Sequence, residues 1–297
     1  MRLGIIINPA AGRRSALRVR HLVERFCARE DLRAEFVVLK PSERIESVAQ
    51  RLAPEVDVLG IVGGDGTLNG VVNGLLTSPC PETPLAFVPA GRGKDIARTL
   101  RSWHPRELHR CSTAHRLRQV DVGLIESGGR QRYFLNETSI GTGALAARSA
   151  AGLPRMMGTS AYLTGTAGAL VRGRPFAGEL VIDGMNPVNL HRCHHITIAN
   201  GRYFGGGLQI APPADPEDGL LEIVAVADVS ALTIARALPR LFLATHLAHP
   251  AVRHWQTGSL RVETTQPVLV ESDGETWTST PLTVTVLKQA LTWVEPA

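Results

Sequence analysis

The sequence predicts a two-domain α/β protein, with a parallel α/β domain followed by a β-rich domain. The first third alternates short apolar runs with stretches of helical spacing, whereas strand-like segments dominate after about residue 120. A chain of 297 residues is also long enough for two domains with their own cores. We place the first domain at 1–122 and the second at 123–285, and we leave open whether the tail 286–297 returns to the first.

Short apolar runs predict the strands of the first domain. They are β-branched and apolar almost throughout, as expected of strands buried on both faces of a parallel sheet. These runs are LGIIIN (3–8), AEFVVLK (34–40), VLGIVGG (58–64) and LAFVPAG (85–91). Helical spacing between and after them predicts helices over 15–28, 42–53, 67–76 and 94–100. The resulting order, βαβαβαβ, predicts a parallel sheet with helices on its faces.

Turns and alternating segments predict the second domain. The expected strands are 119–125, 132–140, 194–200, 220–226, 259–264 and 267–275. Two stretches of helical spacing, near 155–171 and 230–247, interrupt them. We find no internal repeat and no low-complexity linker.

Composition and charge limit the classes of function. With 44% hydrophobic and 20% charged residues, no apolar run of 18 residues and no secretory signal at the start, the sequence predicts a cytoplasmic globular protein. The four cysteines form no CxxC pair, which argues against a zinc knuckle or a disulfide framework. A net charge of +5 suits an anionic membrane, a phosphorylated substrate or simple solubility. No basic segment interleaved with aromatics indicates nucleic acid, so we expect no such partner.

Three glycine-bearing turns follow strands of the predicted parallel sheet. They are NPAAG (8–12), GGDGT (63–67) and PAGRGKD (89–95). Ligands of such sheets bind beyond the carboxyl ends of the strands, where helix N-termini also point. Glycine lets the backbone approach a ligand closely, and free N–H groups suit phosphate. The three turns together therefore predict a nucleotide site.

Asp65, inside the GGDGT turn, requires a separate explanation. A carboxylate beside phosphates is repelled unless a cation or a transferable proton lies between them, so Asp65 predicts Mg²⁺ or a substrate hydroxyl nearby. The alternative is that Asp65 caps a helix that starts near Thr67. Capping alone does not require three glycines, which favours the functional interpretation.

Other motifs carry less weight. AGRGKD (90–95) departs from the Walker pattern, and GTGALA (141–146) lacks a ribose-binding carboxylate at the expected distance. HRCHH (191–195) would place His191, Cys193 and His195 on one face of a strand. Without a second cluster of ligands, we interpret these three as ordinary strand residues rather than as a metal site.

The motifs, taken in order, resemble those of the diacylglycerol kinase and sphingosine kinase superfamily in its compact bacterial lipid-kinase form. Besides the three glycine turns, the chain has FLNETSIGTGA (134–144), NGRYFGGGLQIAPPADPEDGLLEI (200–223) and DGE (273–275). GGDGT also occurs in NAD kinases, whereas GGDGT followed by FGGG, PxADxxDG and DGE is more specific. The resemblance implies an NAD-kinase-like α/β nucleotide-binding domain, a C-terminal β-sandwich and an active site in the cleft between them.

The resemblance also implies site residues. The ATP site would comprise Asn8, Gly12, Ser42, Gly63, Gly64, Gly66, Thr67, Gly91 and Arg92. A Mg²⁺ site would comprise Asp215, Asp218 and the carbonyl of Leu220, with an Asx-turn as the alternative. In DGE, Asp273 or Glu275 would be the catalytic base, and a period of two would put both on one strand face. Asp65 would position the metal or the hydroxyl.

The implied activity is transfer of the γ-phosphoryl group of ATP, with Mg²⁺, to the hydroxyl of a lipid such as diacylglycerol. The lipid would be reached at the inner face of the membrane by a cytoplasmic protein without a transmembrane segment. The alternatives are an NAD kinase-like enzyme and an inactive nucleotide- or lipid-binding protein. The sequence leaves a homodimer open. It departs from the family pattern at Arg92 and Lys94, where PxGTxND is usual, and at Gly143, where GxDA is usual.

Overall fold

The chain divides into two compact units. The structure, a computed structural model, describes residues 1–11, 15–29, 32–91, 93–112, 115–151 and 173–297. The first unit consists of Met1–Asp121 and Lys288–Ala297, and the second of Val122–Leu287. Strands β5 (His115–Ser127) and β17 (Leu282–Pro296) contribute residues to both units.

A parallel sheet forms the centre of the first unit. Its other strands are β1 (Arg2–Ile7), β2 (Arg33–Val38), β3 (Val58–Gly63) and β4 (Leu85–Pro89), and the order is β2-β1-β3-β4-β17. All four pairings are parallel. Buried residues occupy every position of β3, as expected of a strand covered on both faces. The predicted parallel sheet is confirmed.

Four helices belong to the described part of this unit: α1 (Ser15–Arg29), α2 (Ile45–Leu52), α3 (Asp65–Leu76) and α4 (Ile96–Thr99). Short 3-10 helices span Ala53–Glu55 and Leu108–Ser112. Helix α4 begins two residues after the predicted start because Lys94 has a left-handed φ of 56°, which a right-handed helix does not admit. Helix α3 begins two residues early because the carbonyl of Gly64 accepts the N–H groups of Thr67 and Leu68.

The C-terminal strand completes the sheet of the first unit. Trp293 and Val294 of β17 pair in parallel with Leu85 and Ala86 of β4. Two indoles fix this arrangement: Nε1 of Trp103 donates to the carbonyl of Val294, and Nε1 of Trp293 donates to the carbonyl of Arg101, both at 2.8 Å.

Antiparallel strands make up most of the second unit. After β5 the strands are β6 (Arg130–Phe134), β7 (Glu137–Gly141), β8 (Phe176–Ile182), β9 (Val188–Ala199), β10 (Tyr203–Phe204), β11 (Leu208–Gln209), β12 (Leu221–Ala227), β13 (Val252–Thr257), β14 (Ser259–Thr264), β15 (Val268–Ser272) and β16 (Glu275–Ser279). Neighbouring strands pair antiparallel, as in β7 with β9 and β15 with β16. The described helices are α5 (Thr142–Ala151), α6 (Ala231–Phe242) and a 3-10 turn at His246–Ala248.

Several predicted elements of the second unit were wrong in detail. The predicted strand 132–140 is two strands, because the N–H groups of Leu135 and Asn136 donate hydrogen bonds to the side-chain carboxylate of Asp273. The predicted helix 230–247 ends at Phe242, where Ala244 with a φ of 55° breaks it. Helix α5, strands β8, β10, β11 and β13 and most of β16 were not predicted. The helix predicted near 155–171 lies outside the described residues.

No helix in the described ranges combines the length and the hydropathy that crossing a membrane requires.

Candidate functional site

Three turns meet in the first unit, and we call them the glycine-turn cluster: residues 8–11, 63–67 and 89–96 without Arg92. Nδ2 of Asn8 donates to Oγ1 of Thr67 at 2.8 Å, which joins the first turn to the second. The carbonyl of Gly63 accepts the N–H groups of Ala90 at 2.7 Å and Gly91 at 3.2 Å, which joins the second turn to the third. The three strand ends therefore form one connected surface of backbone and small side chains.

Close backbone contact explains two of the glycines. A Cβ atom on Gly91 would lie 2.5 Å from Cα of Gly64, so no side chain fits between the two turns. Gly66 is different, because a Cβ atom there would meet no heavy atom of the described residues within 4 Å. Packing against the described part of the chain therefore does not explain why position 66 lacks a side chain.

Asp65 is the first residue of α3, and its side chain contacts the third turn of the cluster. Its Oδ2 accepts the N–H of Asp95 at 3.4 Å, and a Cβ atom on Gly93 would lie 2.7 Å from that oxygen. Gly64 is the N-cap of α3. Oδ2 of Asp65 accepts from the third turn and Oδ1 has no partner among the described residues, so the alternative that Asp65 caps its own helix is wrong.

The second carboxylate oxygen of Asp65 is buried. Among the described residues, Oδ1 of Asp65 has no hydrogen-bond partner. Burial raises the pKa of the Asp65 carboxyl, while the backbone N–H groups of residues 94–96 and the charge of Arg98 lower it. A buried acceptor without a partner is costly, and a ligand donor or a cation would satisfy it.

The predicted nucleotide residues divide into three groups. Asn8, Gly63, Gly64, Gly66, Thr67 and Gly91 lie in the glycine-turn cluster. Gly12 and Arg92 lie outside the described residues. Ser42 lies in an exposed turn before α2 and makes none of the hydrogen bonds that connect the cluster.

Lys94 shows how the third turn departs from the usual family pattern. Its side chain is exposed, and its φ of 56° is one that asparagine and glycine adopt more readily than lysine. The neighbouring Asp95 is buried and accepts a hydrogen bond from Nη1 of Arg98 at 3.1 Å. Lysine at position 94 therefore adds an exposed cation at the cost of backbone strain.

In the second unit, Asp273 holds a backbone segment together. Its Oδ2 accepts the N–H groups of Leu135 at 2.8 Å and Asn136 at 3.3 Å, and its Oδ1 accepts that of Glu137 at 3.1 Å. Burial, opposed by these N–H groups and reinforced by the charge of Glu271, raises the pKa of the Asp273 carboxyl to about 7. A carboxyl with this pKa exchanges a proton readily near neutral pH.

Asp273 and Glu275 do not share a strand face, contrary to the prediction. Asp273 and Gly274 form the two-residue turn between β15 and β16, with φ values of 42° and 98°, and Glu275 pairs with Ser272 across it. An Asp-Gly pair between apolar strands is a strong hairpin signal, and the sequence analysis missed it. Glu275 is exposed and forms an ion pair with Arg132.

A buried pair of glutamates next to this turn was also missed. Glu271 and Glu137 are 4% and 6% exposed, and their carboxyl groups are hydrogen-bonded to each other. Ser139 and the N–H of Gly274 also donate to Glu271. Burial raises the pKa of Glu271, which favours its protonated form. Residues 137 and 271 are distant in the chain, so the pairing leaves no local pattern. The only sequence sign of the pair is Glu271 in the VES segment before DGE.

The predicted metal turn carries two exposed carboxylates. Oδ1 of Asp215 accepts the N–H of Glu217 at 3.2 Å, and Oδ1 of Asp218 accepts that of Leu220 at 2.8 Å. Both hydrogen bonds are typical of the Asx-turn alternative. The turn also offers only oxygen ligands, which Mg²⁺ prefers. In the described part of the chain, no three His, Cys, Asp or Glu side chains group as a metal site.

Gly143, the third departure from the family pattern, lies against His195. A Cβ atom on Gly143 would lie 2.1 Å from Cε1 of His195, and the N–H of Gly143 donates to Nδ1 of the ring at 3.1 Å. Nε2 of His195 is 2.6 Å from Oγ1 of Thr197. Burial lowers the pKa of His195 to about 4, so the imidazole is neutral.

Comparison with known proteins supports both units. The YegS C-terminal NAD kinase beta sandwich-like domain matches residues 136–295, and the diacylglycerol kinase catalytic domain matches residues 2–125. A diacylglycerol kinase of Mycobacterium tuberculosis is 26% identical over 298 residues, which cover 98% of this chain and 94% of the relative. A Chromohalobacter salexigens protein named "Probable lipid kinase YegS-like" is 36% identical over 192 residues, which cover 61% and 59%.

Solved structures agree on the fold. The crystal structure of a diacylglycerol kinase from Bacillus anthracis str. Sterne superposes with a TM-score of 0.74 at 20% identity, over 99% of this chain and 96% of that one. The parallel α/β unit and the antiparallel unit define a protein that joins a kinase-type catalytic domain to a β-sandwich, as predicted. The chain belongs to the diacylglycerol kinase and lipid kinase superfamily.

Proposed function

We propose that this protein is a lipid kinase that transfers the γ-phosphoryl group of ATP to the hydroxyl of a lipid such as diacylglycerol, with Mg²⁺. The observation that carries the proposal is Asp65, whose Oδ1 is buried without a hydrogen-bond partner among the described residues, within a cluster of glycine turns. Such turns suit phosphate, and a carboxylate there requires a cation or a hydroxyl.

The glycine-turn cluster would bind the phosphates of ATP. Gly66 leaves space for a ligand, and Asn8 holds the side chain of Thr67 in place. The exposed cation of Lys94 would add to the attraction of phosphate. Asp65, kept in place by the N–H of Asp95, would position the metal or the lipid hydroxyl.

Asp273 is the better candidate for the catalytic base. A carboxylate has about four acceptor positions, and three backbone N–H groups leave one for the proton of a lipid hydroxyl. Its pKa of about 7 suits general-base catalysis at neutral pH. Glu275 is instead engaged by Arg132.

Asp215, Asp218 and the carbonyl of Leu220 would hold Mg²⁺, because hard oxygen donors within six residues suit this ion. Mg²⁺ supplies the positive charge that phosphoryl transfer from ATP requires. The lipid would come from the inner face of the membrane, reached from the cytoplasm.

The test is transfer of label from γ-labelled ATP with Mg²⁺ to diacylglycerol, ceramide, sphingosine, phosphatidylglycerol and NAD. We expect a labelled lipid, lost at least a hundredfold in Asp65→Asn and Asp273→Asn but not in the control Asp183→Asn, an exposed carboxylate in the second unit. The rate should fall about tenfold per pH unit below about pH 7, as Asp273 takes up a proton. Labelled NADP would indicate an NAD kinase instead, and ATP binding without any product would indicate an inactive binding protein.

A further inference from the structure

Helix α6 exposes large apolar side chains. Leu232 is 58% exposed and Phe242 49%, and Leu243, the C-cap, is 71% exposed. Leu232, Arg236, Pro239 and Leu243 follow one another at i, i+4, i+7 and i+11, which places them on one side of the helix. All of these residues are exposed. Large apolar side chains grouped on one exposed element indicate an interaction surface.

The charge of this surface is positive. Helix α6 contains Arg236 and Arg240 and no acidic residue. In the described ranges, neither arginine has an ion-pair partner. Arginines beside exposed leucine and phenylalanine are typical of helices that lie in the interface of an anionic bilayer.

A cavity of about 120 Å³ lies under the opposite side of the helix. Thr233, Ala237 and Leu241 of α6 line it, together with Phe204 and Val252 from neighbouring segments. None of the described residues that line it is Asp, Glu, Lys or Arg. An engineered apolar cavity of similar size, about 150 Å³, binds benzene, so this space suits a hydrocarbon.

Polar atoms in the cavity wall lack partners. Oγ1 of Thr142, Nδ1 of His194 and Nδ1 of His246 are buried without a hydrogen-bond partner as far as the chain is described, and all three residues line the cavity. Such atoms are costly unless a ligand or a water satisfies them. A ligand with an apolar chain and an uncharged hydroxyl group, such as an acylated glycerol, matches this wall.

We propose that α6 docks this protein on an anionic bilayer, with Leu232, Phe242 and Leu243 among the lipids and Arg236 and Arg240 at their phosphates. Behind it, the cavity takes a hydrocarbon chain and hydrogen-bonds a hydroxyl next to it, which can donate to Nδ1 of His246 because Nε2 of that ring already donates to the carbonyl of Ile210. That this hydrocarbon chain belongs to the phosphoryl acceptor rests on the proposed function. The docking surface does not depend on that function.

Co-sedimentation with vesicles, without ATP, tests the docking surface. We expect binding to vesicles of phosphatidylglycerol and phosphatidylcholine that weakens in high salt and on pure phosphatidylcholine. The variant Leu232→Ser/Phe242→Ser/Leu243→Ser should bind at least tenfold more weakly, whereas Leu117→Ser, at a leucine that is 55% exposed on β5, should bind as the wild type does. Arg236→Gln/Arg240→Gln should weaken binding about thirtyfold at low salt, and Arg33→Gln, at an exposed position of β2, much less.

Two results would overturn the docking surface: equal binding by wild type and the α6 variants, or a dimer in solution that the triple variant converts to monomers. The second result would mean that α6 is covered by another copy of the chain.

Filling the cavity tests its occupant independently of activity. A fluorescent diacylglycerol analogue should bind the wild type, and Ala237→Phe, on the inner side of α6, should weaken this binding at least tenfold. The control is Ala248→Phe, which adds the same side chain at an exposed position. Unchanged binding in Ala237→Phe would refute the cavity as the site. If these results hold while no lipid is phosphorylated, the proposed kinase activity is wrong but the lipid site stands.

Discussion

The imidazole of His195 occupies the space into which a side chain at position 143 would project. Its Nδ1 accepts the N–H of Gly143 at 3.1 Å, so the ring also takes one of the free N–H groups at the start of α5. The family pattern has aspartate at this position, and the two arrangements exclude each other sterically. His195, four residues before the end of β9, therefore explains the glycine at 143.

This contact predicts a coupling between the two positions. Gly143→Ala, which normally favours a helix, should instead lower the free energy of unfolding by about 1–3 kcal/mol, because Cβ would overlap the ring. In Gly143→Ala/His195→Ala the loss should be smaller than the sum of the single losses by about 1 kcal/mol or more. Urea unfolding of the four proteins measures the coupling, and strict additivity would contradict the steric explanation.

Gly66 and Gly91 should respond in opposite ways to alanine. Gly66→Ala meets no atom of the described residues and should leave the free energy of unfolding unchanged or raise it by up to about 1 kcal/mol, while weakening ATP binding. Gly91→Ala should destabilise the first unit, because Cβ would lie 2.5 Å from Cα of Gly64. Thermal unfolding and calorimetric titration with ATP separate the two effects. Wild-type ATP affinity in Gly66→Ala would show that the phosphates do not lie at this position.

Lys94 should lower the stability of the protein while it adds a positive charge to the turn. Lys94→Asn is expected to raise the free energy of unfolding by about 0.5–1 kcal/mol, because asparagine adopts a φ of 56° at lower cost. The same variant should bind ATP more weakly at low salt, since it loses a cation of the turn. Lys40→Asn, at an exposed lysine outside the left-handed region, is the control. A less stable Lys94→Asn would argue against strain at this residue.

The buried Glu137–Glu271 pair should make stability depend on pH. Because burial raises the folded-state pKa of Glu271, the folded protein holds a proton that the unfolded chain releases near its ordinary value of about 4.3. Stability should therefore fall as pH rises from there through the raised folded-state value. In Glu137→Gln the side-chain amide can donate a hydrogen bond to Glu271 at every pH. This variant should therefore lose less stability as pH rises.

Melting temperatures between pH 4 and pH 8 measure the effect. Glu263→Gln, at an exposed glutamate that pairs with Arg261, should retain the wild-type profile. Identical profiles for wild type and Glu137→Gln would show that the pair holds no shared proton.

Mg²⁺ should stabilise the protein through Asp215 and Asp218. An ion that binds only the folded state at a hundred times its dissociation constant adds about 2.7 kcal/mol, so the melting temperature should rise with Mg²⁺. Asp215→Asn/Asp218→Asn should abolish this rise, and Glu217→Gln, in the same exposed turn, should not. An equal rise in all three proteins would place the ion elsewhere.

The sequence predicted the first unit well because its signals are local. Strand β3 is a continuous apolar run that ends at glycine, so it was predicted to within one residue of its end. The short extent of α4 was not predictable from spacing, because it depends on the left-handed Lys94. The meeting of the three turns was inferred from topology, whereas the contact of Asp65 with Asp95 depends on tertiary structure.

The second unit was predicted less well because its site is assembled from distant segments. Glu137 and Glu271 are brought together by the pairing of β7 with β15, which no local pattern encodes. Asp273 was expected on a strand, and its three N–H donors come from residues 135–137. Helix α5 was missed because its few residues follow a strand without a polar cap signal.

The return of β17 to the first unit has a consequence for synthesis. Trp103 hydrogen-bonds the carbonyl of Val294, which lies 191 residues further along the chain. Strand β4 therefore leaves the ribosome long before its neighbour β17 is made. At ordinary translation rates, the backbone edge of β4 that pairs with β17 stays unpaired for about 10 to 40 s. During that interval the nascent first unit presents an open strand edge that a chaperone would protect, and its sheet gains its last strand only when the second unit has already been made.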